Sequence, residues 1–110
     1  MINTLTILRP GQPPETREID LKPKPSFKAL EALLKPLLDG GDLEHLTVLH
    51  DGEAADMFVD DEGAIKCLPR NEPATAIYRC NWLTQHPDAG PETLPAVYGP
   101  AVLFSRRVWF

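Results

Sequence analysis

Apolar and polar side chains alternate at the start of the chain, as they do in half-buried β-strands. Residues 2–9 and 16–21 both show this alternation. Between them, residues 11–14 read Gly-Gln-Pro-Pro, a combination typical of a turn. The pattern predicts two short strands that pair as an antiparallel hairpin.

Apolar residues at helical spacing follow the hairpin and predict a first helix. Ser26 can act as its N-cap, because its hydroxyl can accept a hydrogen bond from an otherwise unpaired backbone N–H. Pro36 removes a backbone donor, so we expect the helix to kink or to end near Leu34, with Gly40 and Gly41 as a further stop. The apolar positions at helical spacing are Phe27, Leu30, Leu33, Leu34, Leu37 and Leu38.

The middle of the chain predicts a three-stranded meander over residues 43–50, 55–59 and 64–68. Asp51-Gly52 is a hairpin signal between the first two strands. Residues 60–63, Asp-Asp-Glu-Gly, predict a tight turn with the glycine in the left-handed conformation.

A second helix is predicted from an N-cap at Asn71, with Pro73 in the first turn, where its missing N–H is tolerated. A loop over residues 84–95 and a last strand over 96–104 follow, and residues 106–110 form an edge strand or a tail. The expected inward-facing positions of this helix are Ala76, Ile77, Cys80 and Leu83. Residues 1–110 therefore predict one α+β domain, in which a mostly antiparallel sheet packs against two helices.

Charge is divided unevenly along the chain. The net charge is −5, yet residues 36–65 contain nine acidic residues and no lysine or arginine. This distribution is the opposite of the basic surface that binds phosphates, so we do not expect direct nucleic-acid binding. Because no signal peptide or membrane-length apolar run is present, we expect a cytoplasmic protein with Cys67 and Cys80 reduced and buried.

Three short motifs resemble the DUF3846 family of small bacterial, phage and plasmid proteins. They lie at residues 58–63 (Phe-Val-Asp-Asp-Glu-Gly), 68–75 (Leu-Pro-Arg-Asn-Glu-Pro-Ala-Thr) and 98–104 (Tyr-Gly-Pro-Ala-Val-Leu-Phe). The resemblance covers most of the chain. It implies a bacterial or mobile-element origin, and it supplies no catalytic residue because the family has no known function.

The acidic turn is the first candidate site. Asp56, Asp60, Asp61 and Glu62 are its candidate binding residues, and the three aspartates supply oxygen atoms that could bind a metal ion for a hydrolase. However, a calcium loop would require a glutamate where Pro69 stands. The carboxylates are also expected to lie on one hairpin and to point mostly into water. A solvated turn is therefore favoured, with no cofactor and no metal ion.

Two other groups are candidate binding residues. Arg70 and Asn71 precede the second helix, where Asn71 is more simply explained as a cap than as an active-site amide. Arg106, Arg107 and Trp109 could anchor a partner, although Trp109 is favoured to cover the edge of the core.

These patterns favour a non-enzymatic accessory protein that binds another macromolecule, most simply a protein, and one version of this role is an anti-defence factor. Two alternatives stay open. One is a metal-assisted hydrolase that uses Asp56, Asp60 or Asp61. The other is a structural domain in which an exposed last strand, residues 102–110, pairs across a homodimer.

Overall fold

A computed structural model describes residues 2–22, 24–50, 52–88, 90 and 94–109. They form one five-stranded antiparallel sheet with a helix on each face, which confirms the predicted α+β class. The strands lie in the order β2-β1-β5-β4-β3. Their bounds are Ile2–Leu8 (β1), Glu15–Asp20 (β2), Leu43–His50 (β3), Glu53–Asp60 (β4) and Ala101–Phe104 (β5). The helices are Phe27–Leu34 (α1), a 3-10 helix at Lys35–Leu38, and Glu72–Gln85 (α2).

The N-terminal hairpin is confirmed. β1 and β2 pair antiparallel, from Ile2 opposite Asp20 to Ile7 opposite Glu15. The other edge of β1 pairs with β5, where Leu5 lies opposite Phe104. The last strand of the chain is thus inserted beside the first one.

The predicted third strand of the meander is wrong. β3 and β4 form the expected hairpin, but residues 61–67 form successive turns, held by hydrogen bonds such as that from the Leu68 amide to the Gly63 carbonyl. The open edge of β4 pairs with β5 instead, with Phe58 opposite Val102. β5 is apolar and buried at all four positions, so it fills this central place better than the mixed sequence at 64–68.

β5 therefore has neighbours on both sides, β1 and β4. The sequence suggested that residues 102–110 form an exposed last strand that could pair across a homodimer. The predicted exposure of this strand is wrong, because both edges of β5 are already paired. After β5 the chain leaves regular structure, and residues 106–109 bond to Asn3 of β1 and Asp56 of β4 and pack against the first core.

The first helix follows the sequence closely. The Ser26 side chain accepts a hydrogen bond from the Ala29 amide (3.1 Å), as an N-cap does. The α-helix ends at Leu34, and Pro36 stands at the start of the 3-10 helix, where its missing donor is tolerated. This helical segment covers one core, built from Leu5, Ile7, Leu30, Leu34, Leu38, Phe58, Val102 and Phe104.

The second helix begins at its predicted cap, Asn71, whose side chain accepts from the Ala74 amide (3.1 Å). Its rotation was predicted wrongly. The side chains turned toward the sheet include Ala74, Ile77, Tyr78 and Asn81. By contrast, Ala76, Cys80 and Leu83 face outward, and Cys67 is exposed as well.

Tertiary hydrogen bonds account for this rotation. The Thr75 hydroxyl is bonded to the backbone of Val97, and the Asn81 amide donates to the Thr47 carbonyl (3.1 Å). α2 covers the second core, which contains Val48, Met57, Val59, Ala74, Val97 and Leu103.

Some predicted features lie partly or wholly outside the described residues. They are Asp51 of the hairpin turn, residues 89 and 91–93 of the predicted loop, and Phe110 of the tail. Among the described residues, no helix combines the length and the apolar character needed to cross a membrane.

Candidate functional site

Asp56 is fully buried, in contrast to the prediction that it points into water. One carboxylate oxygen accepts from the backbone amides of Val108 (2.7 Å) and Trp109 (2.8 Å). The other bonds to His45 Nε2 (2.7 Å) and accepts from Arg107 Nε (3.3 Å). Because a buried carboxylate requires such partners, Asp56 is explained as the anchor of the C-terminal segment.

The three predicted C-terminal binding residues take part in the same packing. Arg107 contacts Asp56 and also donates to the Trp109 carbonyl (3.1 Å). Arg106 Nε donates to Asn3 Oδ1 (2.7 Å) on β1. The Trp109 ring packs between the rings of Phe27 (5.3 Å) and His45 (4.8 Å). The alternative that Trp109 covers the edge of the core is confirmed.

Asp60 is also buried, at 7% exposure, and it organises the acidic turn. One of its oxygens accepts from the Glu62 amide (2.8 Å), and the other accepts from Lys66 Nζ (3.0 Å). The Asp60 side chain raises the pKa of Lys66, because the carboxylate stabilises the ammonium. Asp60 is therefore already paired with a lysine of the same chain.

The predicted acidic candidates therefore do not converge. Asp56 and Asp60 bind separate protein donors, while Asp61 and Glu62 lie exposed in the turn. Among the residues that the structure describes, no group of three or more His, Cys, Asp or Glu side chains is arranged to hold a metal ion.

Asn71 is fully buried and holds three segments together. Besides capping α2, its amide nitrogen donates to the carbonyls of Leu8 (2.8 Å) and Gly99 (2.9 Å). Arg70 next to it forms an ion pair with Glu72 (2.9 Å). Asn71 is explained by architecture, and Arg70 lies at the surface, 39% exposed.

A cleft of about 110 Å³ opens beside the acidic turn, and we call it the acidic cleft. Its floor and walls come from β3, the end of β4, the turn at 61–64, α2 and the segment before β5. The polar residues that line it are Glu44, Asp60, Asp61, Tyr78 and Tyr98, and the apolar ones are Leu46, Val59, Ala64, Ala96 and Val97.

Two carboxyl groups meet in this cleft. Burial raises the pKa of Glu44, and a hydrogen bond with Asp61 together with the charge of Asp61 raises it further. Burial also raises the pKa of Tyr78, to which the negative charge of Glu44 adds. The cleft therefore holds a like-charge pair beside a phenol that stays protonated.

Backbone contacts fix this arrangement. The Asp61 amide donates to the Asp42 carbonyl (2.9 Å), which ties the turn to the start of β3. A Cβ atom at Gly63 would collide with the Tyr98 carbonyl oxygen, so only glycine lets the turn approach the far wall. Gly63 was predicted to adopt the left-handed conformation, and this prediction is wrong. Gly63 is not among the glycines with a positive φ, which include Gly52 and Gly99.

Among the polar residues of the cleft, Asp60 and Asp61 are predicted from the sequence, whereas Glu44, Tyr78 and Tyr98 are not. These residues lie on β3, on α2 and before β5, far apart along the chain. For Glu44, the sequence shows only that it is one of nine acidic residues in residues 36–65. This pattern indicates an acidic region but does not predict which of these residues line a cleft. No local pattern brings the two tyrosines to it.

No family model, curated protein or solved structure matches the chain. The resemblance to the DUF3846 family therefore stays a prediction.

Proposed function

We propose that this protein binds another protein by taking up a lysine or arginine side chain of that partner in the acidic cleft. The observation that supports it is that Glu44 and Asp61 line the same cleft, where burial and the neighbouring Asp61 carboxyl group raise the pKa of Glu44. Two carboxylates held together repel each other when both are ionised, and a cation placed beside them removes that repulsion. Binding of a basic side chain is therefore energetically favourable in this cleft.

The rest of the lining suits the same ligand. Lysine and arginine carry an apolar stem below a charged head. Leu46, Val59 and Ala96 offer apolar contact to a stem, while the two carboxylates and the phenol of Tyr78 offer acceptors to the head. A guanidinium group can bond to two carboxylate oxygens at once, which gives directional recognition.

Charge around the cleft supports attraction of a basic partner. Although nine acidic residues lie in residues 36–65, three of them are already paired, Asp42 with Lys35, Asp56 with Arg107 and Asp60 with Lys66. Glu44, Asp61 and Glu62 stay at the mouth of the cleft or next to it. A field of this sign raises the rate of encounter with basic proteins, and salt weakens it.

The test is a nuclear magnetic resonance titration with a short glycine peptide that contains one arginine. We expect the amide signals of Asp61, Gly63 and Tyr98 to shift, and the shifts to weaken as salt is added. Glu44→Gln and Asp61→Asn should each weaken binding several-fold, because each removes one acceptor charge.

Glu62→Gln is the matched control, since Glu62 is an exposed acid of the same turn that does not line the cleft. It should lower affinity only by the small long-range effect of one charge. Equal losses in all three variants would show that net charge, and not the cleft, attracts the peptide, and this result would contradict the proposal.

A further inference from the structure

A row of rings on α2 starts at the acidic cleft. Tyr78, Trp82 and His86 stand four residues apart, and we call them the aromatic stripe. The rings of Tyr78 and Trp82 meet edge to face (6.3 Å), and those of Trp82 and His86 stack (4.2 Å, 20°). Tyr78 lines the cleft, Trp82 is half-buried and His86 is exposed, so the stripe leads from the cleft to the end of the helix.

We propose that the partner segment continues along this stripe and places a second arginine on its far end. This inference rests on the proposed function, because the cleft supplies the first contact. An arginine guanidinium stacks flat on aromatic rings, whereas a lysine ammonium is compact and strongly hydrated.

The end of α2 favours the same charge. His86 is the C-cap residue of this helix of 14 residues. The last carbonyl groups of a helix give its C-terminal end a partial negative charge, which attracts cations. A cation at the far end of the stripe is therefore favoured by the rings and by the helix end together.

The length of the stripe sets the spacing of the two arginines. The ring centres are spaced 6.3 Å and 4.2 Å apart, so the His86 ring lies within about 10 Å of the Tyr78 ring. An extended peptide advances about 3.4 Å per residue, so it covers this length in three to four residues. The partner chemistry is therefore an extended basic segment with arginines at positions i and i+3 or i+4.

The experiment compares glycine peptides with two arginines separated by zero to six residues. We would make Trp109→Phe first, so that Trp82 is the only tryptophan that reports binding by fluorescence. Affinity should be highest with two or three intervening residues, about three- to fivefold above the one-arginine peptide. Replacing the second arginine by lysine should remove most of this gain.

Variants locate the second contact. His86→Ala and Trp82→Ala, followed by nuclear magnetic resonance, should abolish the dependence on spacing while the one-arginine peptide binds as before. Leu83→Ala is the matched control, because Leu83 is 38% exposed on α2 outside the stripe. His86→Ala keeps the test valid if Trp82→Ala does not fold.

The outcomes separate the two proposals. If the one-arginine peptide binds in the cleft but spacing has no effect, the stripe is not a second contact and this inference is wrong. If no arginine peptide binds, or if Glu44→Gln and Asp61→Asn change nothing, the proposed function itself fails.

Discussion

The Asp56 carboxylate accepts a hydrogen bond from the backbone amide of Trp109 across 53 residues of chain (2.8 Å). This contact joins the acidic middle of the sequence to its aromatic and basic end. Both regions were candidate binding surfaces when considered separately. In the folded protein, hydrogen bonds join these two regions to each other. Fewer of their polar groups are therefore available to a partner than the charge pattern indicates.

Asp56→Asn should destabilise the protein by about 3 kcal/mol, because it leaves buried donors without a charged acceptor and turns an amide group toward N–H groups. Chemical denaturation would measure the free energy of unfolding, and Trp109 fluorescence, read in a Trp82→Phe background, would report release of residues 105–109. Glu62→Gln is the control, since Glu62 is an exposed acid outside this contact, and it should change stability little. A mild effect of Asp56→Asn would show that the C-terminal segment is held mainly by the packing of Trp109.

Asn71→Asp separates the two roles of that residue. The variant keeps the oxygen that caps α2 but replaces the donor to the Leu8 and Gly99 carbonyls by a second acceptor. We expect a loss of about 3 kcal/mol in unfolding free energy, as large as that of Asn71→Ala.

For comparison, Ser26→Ala removes only a cap, the exposed one of the first helix, and should lower the free energy of unfolding by about 1 kcal/mol. If Asn71→Asp were as stable as the native chain, the cap alone would explain Asn71, and the link between the three segments would be unimportant.

Stability should depend on pH through Glu44. Its pKa is raised in the folded state by burial and by Asp61, so the folded protein binds this proton more tightly than the unfolded chain does. Folding stability therefore falls as the pH rises from the ordinary glutamate pKa through the raised one, and the loss persists above it.

Glu44→Gln removes this loss. We expect the variant to be more stable than the native protein at neutral pH, and the difference to disappear below the ordinary glutamate pKa. Thermal unfolding at a series of pH values would measure it, with Glu62→Gln as a control. A difference independent of pH would mean that Glu44 and Asp61 do not repel each other.

Gly63→Ala should cost about 2–3 kcal/mol and also weaken peptide binding, because the added methyl group meets the Tyr98 carbonyl and moves a wall of the cleft. Gly52→Ala provides the comparison. Gly52 has a positive φ of 82° but open space around it, so its substitution should cost only about 1 kcal/mol and leave binding unchanged. Equal costs at both positions would contradict the close approach at Gly63.

Local chemistry explains the part of the fold that the sequence predicts. The Ser26 and Asn71 caps, the end of α1 at Leu34 and the N-terminal hairpin are decided by residues a few positions apart. Capping and turn formation depend on such short-range hydrogen bonds, so a pattern in the sequence is enough to find them.

The candidate site depends on long-range contacts instead. Asp61 was named from the sequence, but its partner Glu44 and the wall residue Tyr98 come from other elements. Whether a carboxylate in the acidic region is buried, paired or exposed depends on which donors the fold brings to it. Lys66 reaches Asp60 because residues 61–67 fold into successive turns, whereas residues 107–109 reach Asp56 from a distant part of the chain, a pairing that has no local signal.

The sequence by itself determined the α+β class, the starts of both helices, the end of α1 and the concentration of acidic residues in the middle of the chain, because periodicity, caps and composition are properties of neighbouring residues. Only the tertiary structure decided the central place of β5, the rotation of α2 and the meeting of Glu44 with Asp61. These depend on strand pairing and burial between distant segments, for which many arrangements share the same local pattern.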